Sequence, residues 1–272
     1  MADKELNRNY KDRLSDDSAQ PGGGKLAVTE KASSVELNVR ERLIELFKNS
    51  PIPDDQVLPN LGLFLNSKNL GRILFMDYIY KQIIDVQGII MEFGTRWGQN
   101  SALFTSLRGI YEPFNRHRKV VAFDTFSGFP SISKLDGCSE MMAEGNYATS
   151  DHYEKYLEKV LHLLELDEPL GHLKKYEIRK GNAVTETEKY LTEHPETIVA
   201  LAFFDFDIYE PTLKCLESIK NRLVKGSILV FDELNDPDCP GETVALMESV
   251  GLNNIRLKRL PYVSRISYCI LE

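Results

Sequence analysis

Cysteine is sparse in this 272-residue chain: Cys138, Cys215, Cys239 and Cys269 stand far apart, with no C-x-x-C pair among them. That spacing excludes a disulfide framework and a thiolate zinc site, and it suits a reducing compartment. Positive charge is also in deficit, with 33 Lys and Arg against 41 Asp and Glu and a formal balance of -8. The chain lacks the field that nonspecific phosphate-backbone binding needs, so nucleic acid is excluded as a partner. No apolar run reaches the roughly 18 to 20 residues of a membrane helix. The N-terminal MADKELNRNYKDRLSDD has charges where a signal peptide needs an apolar stretch. A cytoplasmic protein with no membrane partner is the expectation. Two motifs are missing as well: there is no G-x-G-x-x-G, and the Gly-Gly-Gly-Lys at 22–25 lacks the first glycine of a phosphate loop. His117, His152, His162, His172 and His194 show no ligand spacing.

Residues 1–33 are polar, mixed in charge and contain Pro21, Gly22, Gly23 and Gly24, which predicts a disordered arm. Apolar residues then recur at helical spacing over 34–48 and 70–84, separated by a Pro-rich connection, which predicts an N-terminal helical cap over 34–86. From 87 to 272 the pattern changes to short apolar runs at 88–93, 120–123, 176–178, 198–204, 227–231, 255–257 and 266–271. Helical segments at 99–108, 152–165, 185–193, 210–223 and 241–249 lie between most of them. The alternation predicts an α/β fold with a mainly parallel, seven-stranded sheet, helices on both faces and an antiparallel C-terminal edge hairpin. Such sheets bind ligands beyond the carboxyl ends of their strands.

The first strand runs into Glu92, Phe93, Gly94, Thr95, Arg96, Trp97, Gly98, Gln99, Asn100 and Ser101. Gly94 and Gly98 permit a tight turn, and Glu92 beside it suits a ligand carrying ammonium or sulfonium charge better than a pyrophosphate. A plain strand-to-helix turn is the alternative. The second strand ends in Asp124, placed to accept both hydroxyls of a ribose, and Thr125 to Pro130 follow as a shaped loop. By itself Asp124 does not separate S-adenosylmethionine from NAD. The segment at 137–150, polar and with two glycines, reads as a mobile lid.

Two buried strands end in acids: one in Asp205 and Asp207, at i and i+2 on one side, the other in Asp232 and Glu233. Neighbouring strands would gather all four, and such clustered charge raises its own pKa values or requires a cation. Oxygen donors without cysteine or spaced histidine favour Mg²⁺, Mn²⁺ or Ca²⁺ over zinc. The competing reading is that these acids cap following helices.

The M-E-F-G-T-R-W-G loop, the F-D-T-F-S-G-F-P segment, the D-F-D-I-Y-E-P-T strand end and the V-F-D-E-L-N end occur in that order. Together they resemble the macrocin-type sugar O-methyltransferases, and among these the deoxysugar methyltransferases of antibiotic pathways such as that of calicheamicin. The resemblance covers about residues 60–272. It implies a class I methyltransferase fold of Rossmann-like type, S-adenosylmethionine as donor, a divalent metal, and a glycosylated or nucleotide-sugar acceptor.

The resemblance also assigns residues. Glu92, Phe93, Gly94, Thr95, Ser101, Asp124, Thr125, Gly128, Asn182, Ala183 and Asp205 would contact the cofactor. Asp205, Asp232 and Glu233 would hold the metal, with Glu233 standing where the family usually has a second Asp. Asp207 would take the acceptor's proton, and Phe206 replaces the glycine of the family's D-G-D-x-Y-E. The nearest rivals are the metal-dependent phenol or catechol methyltransferases, which place a Lys where Ile208 stands, and a cephalosporin hydroxylase-like group on the same fold. The apolar surface of the first helices predicts a homodimer or higher homo-oligomer.

Overall fold

The computed structural model describes residues 33–272, so the expected arm at 1–33 lies outside the described residues except for Ser33. Ser33 begins helix α1 (Ser34–Lys48) through a reciprocal capping box, its hydroxyl accepting the Glu36 amide while its own amide donates to the Glu36 carboxylate at 2.7 Å. After a short helix α2 (Asp54–Val57), helix α3 (Ser67–Lys81) starts at Asn66, whose side chain accepts the Asn69 amide at 2.8 Å. The expected helix over 70–84 thus begins and ends three residues earlier.

Strands β1 (Ile89–Phe93), β2 (Val120–Asp124), β3 (Tyr176–Lys180), β4 (Val199–Phe204), β5 (Leu223–Phe231) and β6 (Ser267–Ile270) form one sheet in the order β3-β2-β1-β4-β5-β6. All pairs are parallel except β5 with β6. Helices α4 (Gln99–Tyr111), α5 (Tyr153–Leu166), α6 (Ala183–Glu193), α7 (Tyr209–Ile219) and α8 (Gly241–Ser249) connect them.

Burial on both faces explains the near-continuous apolar strands. Ile90, Leu201, Phe203 and Val230 pack with Phe75, Met76 and Ile79 of α3 on one face. Their chain neighbours Met91, Ala202, Phe204 and Leu229 pack with Tyr190, Leu216 and Leu246 on the other. Chain order reverses at the boundary between β1 and β4, which opens a crevice at their carboxyl ends.

Six strands form among the described residues, one fewer than expected. Residues 255–257 make no strand, and pairing there is reduced to a single bridge between Lys258 and Tyr268. The antiparallel edge is instead β6 lying directly on β5, with Leu229 opposite Cys269. No helix among the described residues is long and apolar enough to cross a membrane.

Candidate active site

The β1 end turns sharply at Gly94 (φ 88°), where a Cβ would collide with the Asp205 carbonyl. Only glycine allows the two strand ends to come that close. Gly98 (φ 77°) opens α4, and a side chain there would strike Leu157. Glu92 lies beneath this turn, 1% exposed, accepting from the Ser101 hydroxyl. Burial pushes its pKa up to about 7, with Ser101 and Arg72 opposing.

Asp124 ends β2 with both carboxylate oxygens aligned by backbone amides, Oδ2 by Arg96 at 2.7 Å and Oδ1 by Phe126 at 2.6 Å. Each oxygen has a lone pair left for a further donor. Asn182 caps α6 through the Val184 amide at 2.9 Å, and its side-chain amide remains to donate. Thr125 Oγ1 donates to the Gly128 carbonyl at 2.8 Å. The 137–150 segment is laced to this loop rather than loose: Phe129 and Asn146, Gly145 and Phe129, and Thr149 and Phe126 are joined by backbone hydrogen bonds.

The acids gather as the strand ends predict. The ladder continues one step past β4 and β5, the Asp205 amide donating to Phe93 at 2.8 Å and the Asp232 amide to Phe204 at 3.0 Å. Asp207 follows in the left-handed region (φ 62°), 6% exposed, and its Oδ1 has no hydrogen-bond partner among the described residues. A non-glycine residue held there, with an orphaned oxygen, is a mark of function rather than packing. Burial first, then Asp232, raises the Asp205 pKa. Burial, then the charges of Glu233 and Asp232, raises that of Asp207, against the pull of Arg265.

Three partners of these acids are absent from the sequence reading. Arg72 of α3 spans Asp205 (Nη2 to Oδ2, 3.0 Å) and Asp232 (Nη1 to Oδ1, 2.9 Å), while its Nε donates to Asn100 at 3.2 Å. Arg265 pairs with Glu233 and lies 3.2 Å from Asp236. Glu242 of α8, fully buried, accepts the amides of Phe206 at 3.0 Å, Asp207 at 3.3 Å and Glu233 at 3.3 Å. The available signal for Arg72 was a cation one turn after Lys68 and one turn before the buried Phe75 and Met76, beside Gly71, which packs against the Tyr262 carbonyl.

Glu233 therefore does not face Asp205 and Asp232 as a third ligand of one tight set. Its carboxylate is engaged by Arg265 and the Cys239 thiol, and burial raises its pKa to about 7. Among the described residues, the group of three possible ligands within 4.8 Å of one another is Glu233, Asp236 and Cys239. Arg265 contacts all three, so that group already holds a fixed cation.

One cavity of about 530 Å³ joins the two halves. Gly94, Thr95, Asp124, Thr125, Gly128, Asn182 and Ala183 line it together with Asp205, Asp207, Asp232 and Glu233. Glu92, Phe93 and Ser101 lie behind its wall; Phe93 is stacked between Phe123 and Phe204 at 5.0 and 4.8 Å. The cavity's cations include Lys68, Arg72, Arg96 and Arg265. Arg96 lies over the rings of Tyr147 and Trp97, at 4.8 and 5.7 Å, and Lys68 has no ion pair among the described residues.

No protein-family model and no curated protein matches the sequence. Solved structures do. A crystal structure of CalS11, a calicheamicin methyltransferase, shares 39% identity over 93% of this chain and 99% of its own, with a TM-score of 0.87. A structure of CalS11 without ligand, described as a TDP-rhamnose 3'-O-methyltransferase of calicheamicin biosynthesis, shares 38% identity over 89% of this chain and 96% of its own, at a TM-score of 0.79. The O-methyltransferase NovP shares the fold, at 18% identity over 74% of this chain and 79% of its own and a TM-score of 0.54.

Proposed function

The chain belongs to the family of deoxysugar O-methyltransferases that includes CalS11, and from that premise we propose that it moves a methyl group from S-adenosylmethionine to a hydroxyl of a deoxysugar, carried on a nucleotide or a natural product. The observation that carries this reading is one cavity lined both by Asp124 and Asn182 and by Asp207, whose backbone is strained and whose Oδ1 has no hydrogen-bond partner among the described residues. Asp124 would take the ribose hydroxyls on its two aligned oxygens. The excess of carboxylates at the strand ends would favour the cofactor's sulfonium charge, which also lowers the raised pKa values of those acids.

Asp207 would remove the acceptor's proton. Burial and the charges of Glu233 and Asp232 raise its pKa, which makes it a stronger base than an exposed aspartate. As the new C–O bond forms, the C–S bond breaks and S-adenosylhomocysteine leaves with its sulfur neutral. The remaining requirement is alignment of hydroxyl, methyl carbon and sulfur, supplied by the cavity walls. Lys68 and Arg96 favour an acceptor with anionic groups, as a nucleotide sugar has.

The donors also suit a hard divalent cation such as Mg²⁺, Mn²⁺ or Ca²⁺. Arg72 uses one oxygen of Asp205 and one of Asp232, leaving the second oxygen of each, and Asp207 Oδ1, without a hydrogen bond from the described residues. Asp205 and Asp232 would hold the ion, with Glu233 reaching it only on release from Arg265. Such an ion, when bound, lowers the pKa of a coordinated hydroxyl. Association with further copies of the chain rests on α1, which buries no residue and leaves Val35, Val39, Ile44 and Leu46 exposed.

The experiment is incubation of the purified protein with methyl-labelled S-adenosylmethionine and a panel of nucleotide-linked and glycoside-linked deoxysugars, with and without chelator. Label should pass to a sugar oxygen. Absence of transfer to every sugar, together with no thermal stabilisation by S-adenosylmethionine, would sink the reading.

A further inference from the structure

The amides of Phe206, Asp207 and Glu233 lie just beyond the last ladder bonds of β4 and β5, where a buried backbone group must find another partner. All three donate to one side chain. Glu242 Oε1 accepts Phe206 at 3.0 Å and Asp207 at 3.3 Å, and Oε2 accepts Glu233 at 3.3 Å. An acid in the first turn of a helix ordinarily serves its own helix's amides. Glu242 instead reaches out of α8 to two different strand ends.

Gly241 makes that reach possible. A Cβ there would meet the Tyr209 nitrogen at 2.6 Å and the Ile208 carbonyl carbon at 2.9 Å, so the start of α8 lies directly against the Asp205–Tyr209 stretch. Asp136 adds a second support, accepting the Tyr209 amide at 2.5 Å where α7 has no side-chain cap of its own. Between these tethers, Asp207 is held at a φ of 62°, a conformation that a residue with a Cβ rarely adopts. Its side-chain direction follows from that backbone turn, and the turn is fixed from α8.

We propose that Glu242 is the positioning residue of the acid cluster: by tying the Phe206, Asp207 and Glu233 amides to one buried carboxylate, it sets the turn that presents Asp207 to the cavity. This rests on the reading of Asp207 as the proton acceptor, and goes beyond it by assigning the residue that holds the acceptor in place.

The test uses the full chain, with Glu242→Gln and Asp207→Asn prepared side by side. Glutamine keeps the shape but replaces one acceptor oxygen by an N–H₂ group, so at least one of the three amides must lose its partner. Glu242→Gln should lose hydrogen-exchange protection at the amides of 206, 207 and 233, lower kcat about 10²-fold through misplacement of the base, and leave S-adenosylmethionine affinity unchanged. Asp207→Asn should lower kcat with protection of those amides intact. A merely structural Glu242 would instead weaken cofactor binding and turnover together. Wild-type protection in Glu242→Gln, or lost protection with unchanged kcat, overturns the proposal. Full turnover by Asp207→Asn sinks the base reading by itself. Should Glu242→Gln not fold, Glu242→Asp is read in the same way, its carboxyl group kept and its reach one methylene short.

Discussion

Nη2 of Arg72 lies 3.0 Å from Oδ2 of Asp205, joining a helix that precedes the sheet to a carboxylate at the end of one of its two central strands. The same guanidinium holds Asp232 at 2.9 Å, so two like charges from adjacent strands share one cation. Removing that cation as Arg72→Met should cost about 1.5 to 3 kcal/mol of stability, the range for hydrogen bonds to charged groups, read by urea unfolding at neutral pH. Arg72→Lys should recover only part of it, because an ammonium cannot span both acids with a planar fork. Mg²⁺ should stabilise the Met variant more than the wild type. An equal shift in both would show that the ion is not drawn to Asp205 and Asp232.

Asp207→Asn removes a proton acceptor while preserving shape. Turnover should fall about 10²- to 10⁴-fold, the usual worth of a general base, with S-adenosylmethionine binding by calorimetry nearly unchanged. Turnover within a few-fold of wild type, by the labelled-methyl assay, would move the base elsewhere.

Asp124→Asn keeps oxygen for one backbone amide but exchanges the other acceptor for a donor. Cofactor affinity should weaken about tenfold or more, as expected for losing about 1.5 kcal/mol or more from a charge-assisted hydrogen bond. Equilibrium binding of S-adenosylmethionine measures it directly. Equal affinity in the two proteins would remove Asp124 from the cofactor site.

Glu92 makes a prediction about pH. Its pKa is raised from 4.5 in the unfolded chain to about 7 in the fold, chiefly by burial. Between those values the folded state binds more proton than the unfolded one, so its contribution is full below about pH 4.5 and is lost as pH rises through about 7. Glu92→Gln, which can still accept from Ser101, should therefore melt above the wild type at pH 8 and lose that advantage near pH 4. The same gap at both pH values would show that Glu92 titrates normally.

Much of the sheet was legible beforehand, because apolar runs of strand length bounded by Gly, Asp and Asn report local burial. The acids at 205, 207, 232 and 233 were legible for the same reason: a charge ending a buried run marks where the strand leaves the core. The run at 255–257 misled, since Ile255 and Leu257 on either side of Arg256 meet the strand alternation, while pairing of this stretch with β6 is limited to the one bridge between Lys258 and Tyr268. Asn182 showed both sides of a local signal, a helix cap that also lines the cavity.

By itself the sequence determined the alternation of strands and helices, the glycine turn at Gly94 and the placing of carboxylates at strand ends, all of which are set within a few residues by periodicity and backbone freedom. Which cation answers those carboxylates was decided only by the tertiary structure. Arg72 stands 133 positions from Asp205 and 160 from Asp232, and Glu242 stands 36 from Phe206. Nothing in local spacing couples such positions; they meet because α3 and α8 must each bury an apolar face against the same sheet, and the polar residues at those helices are carried to its carboxyl edge.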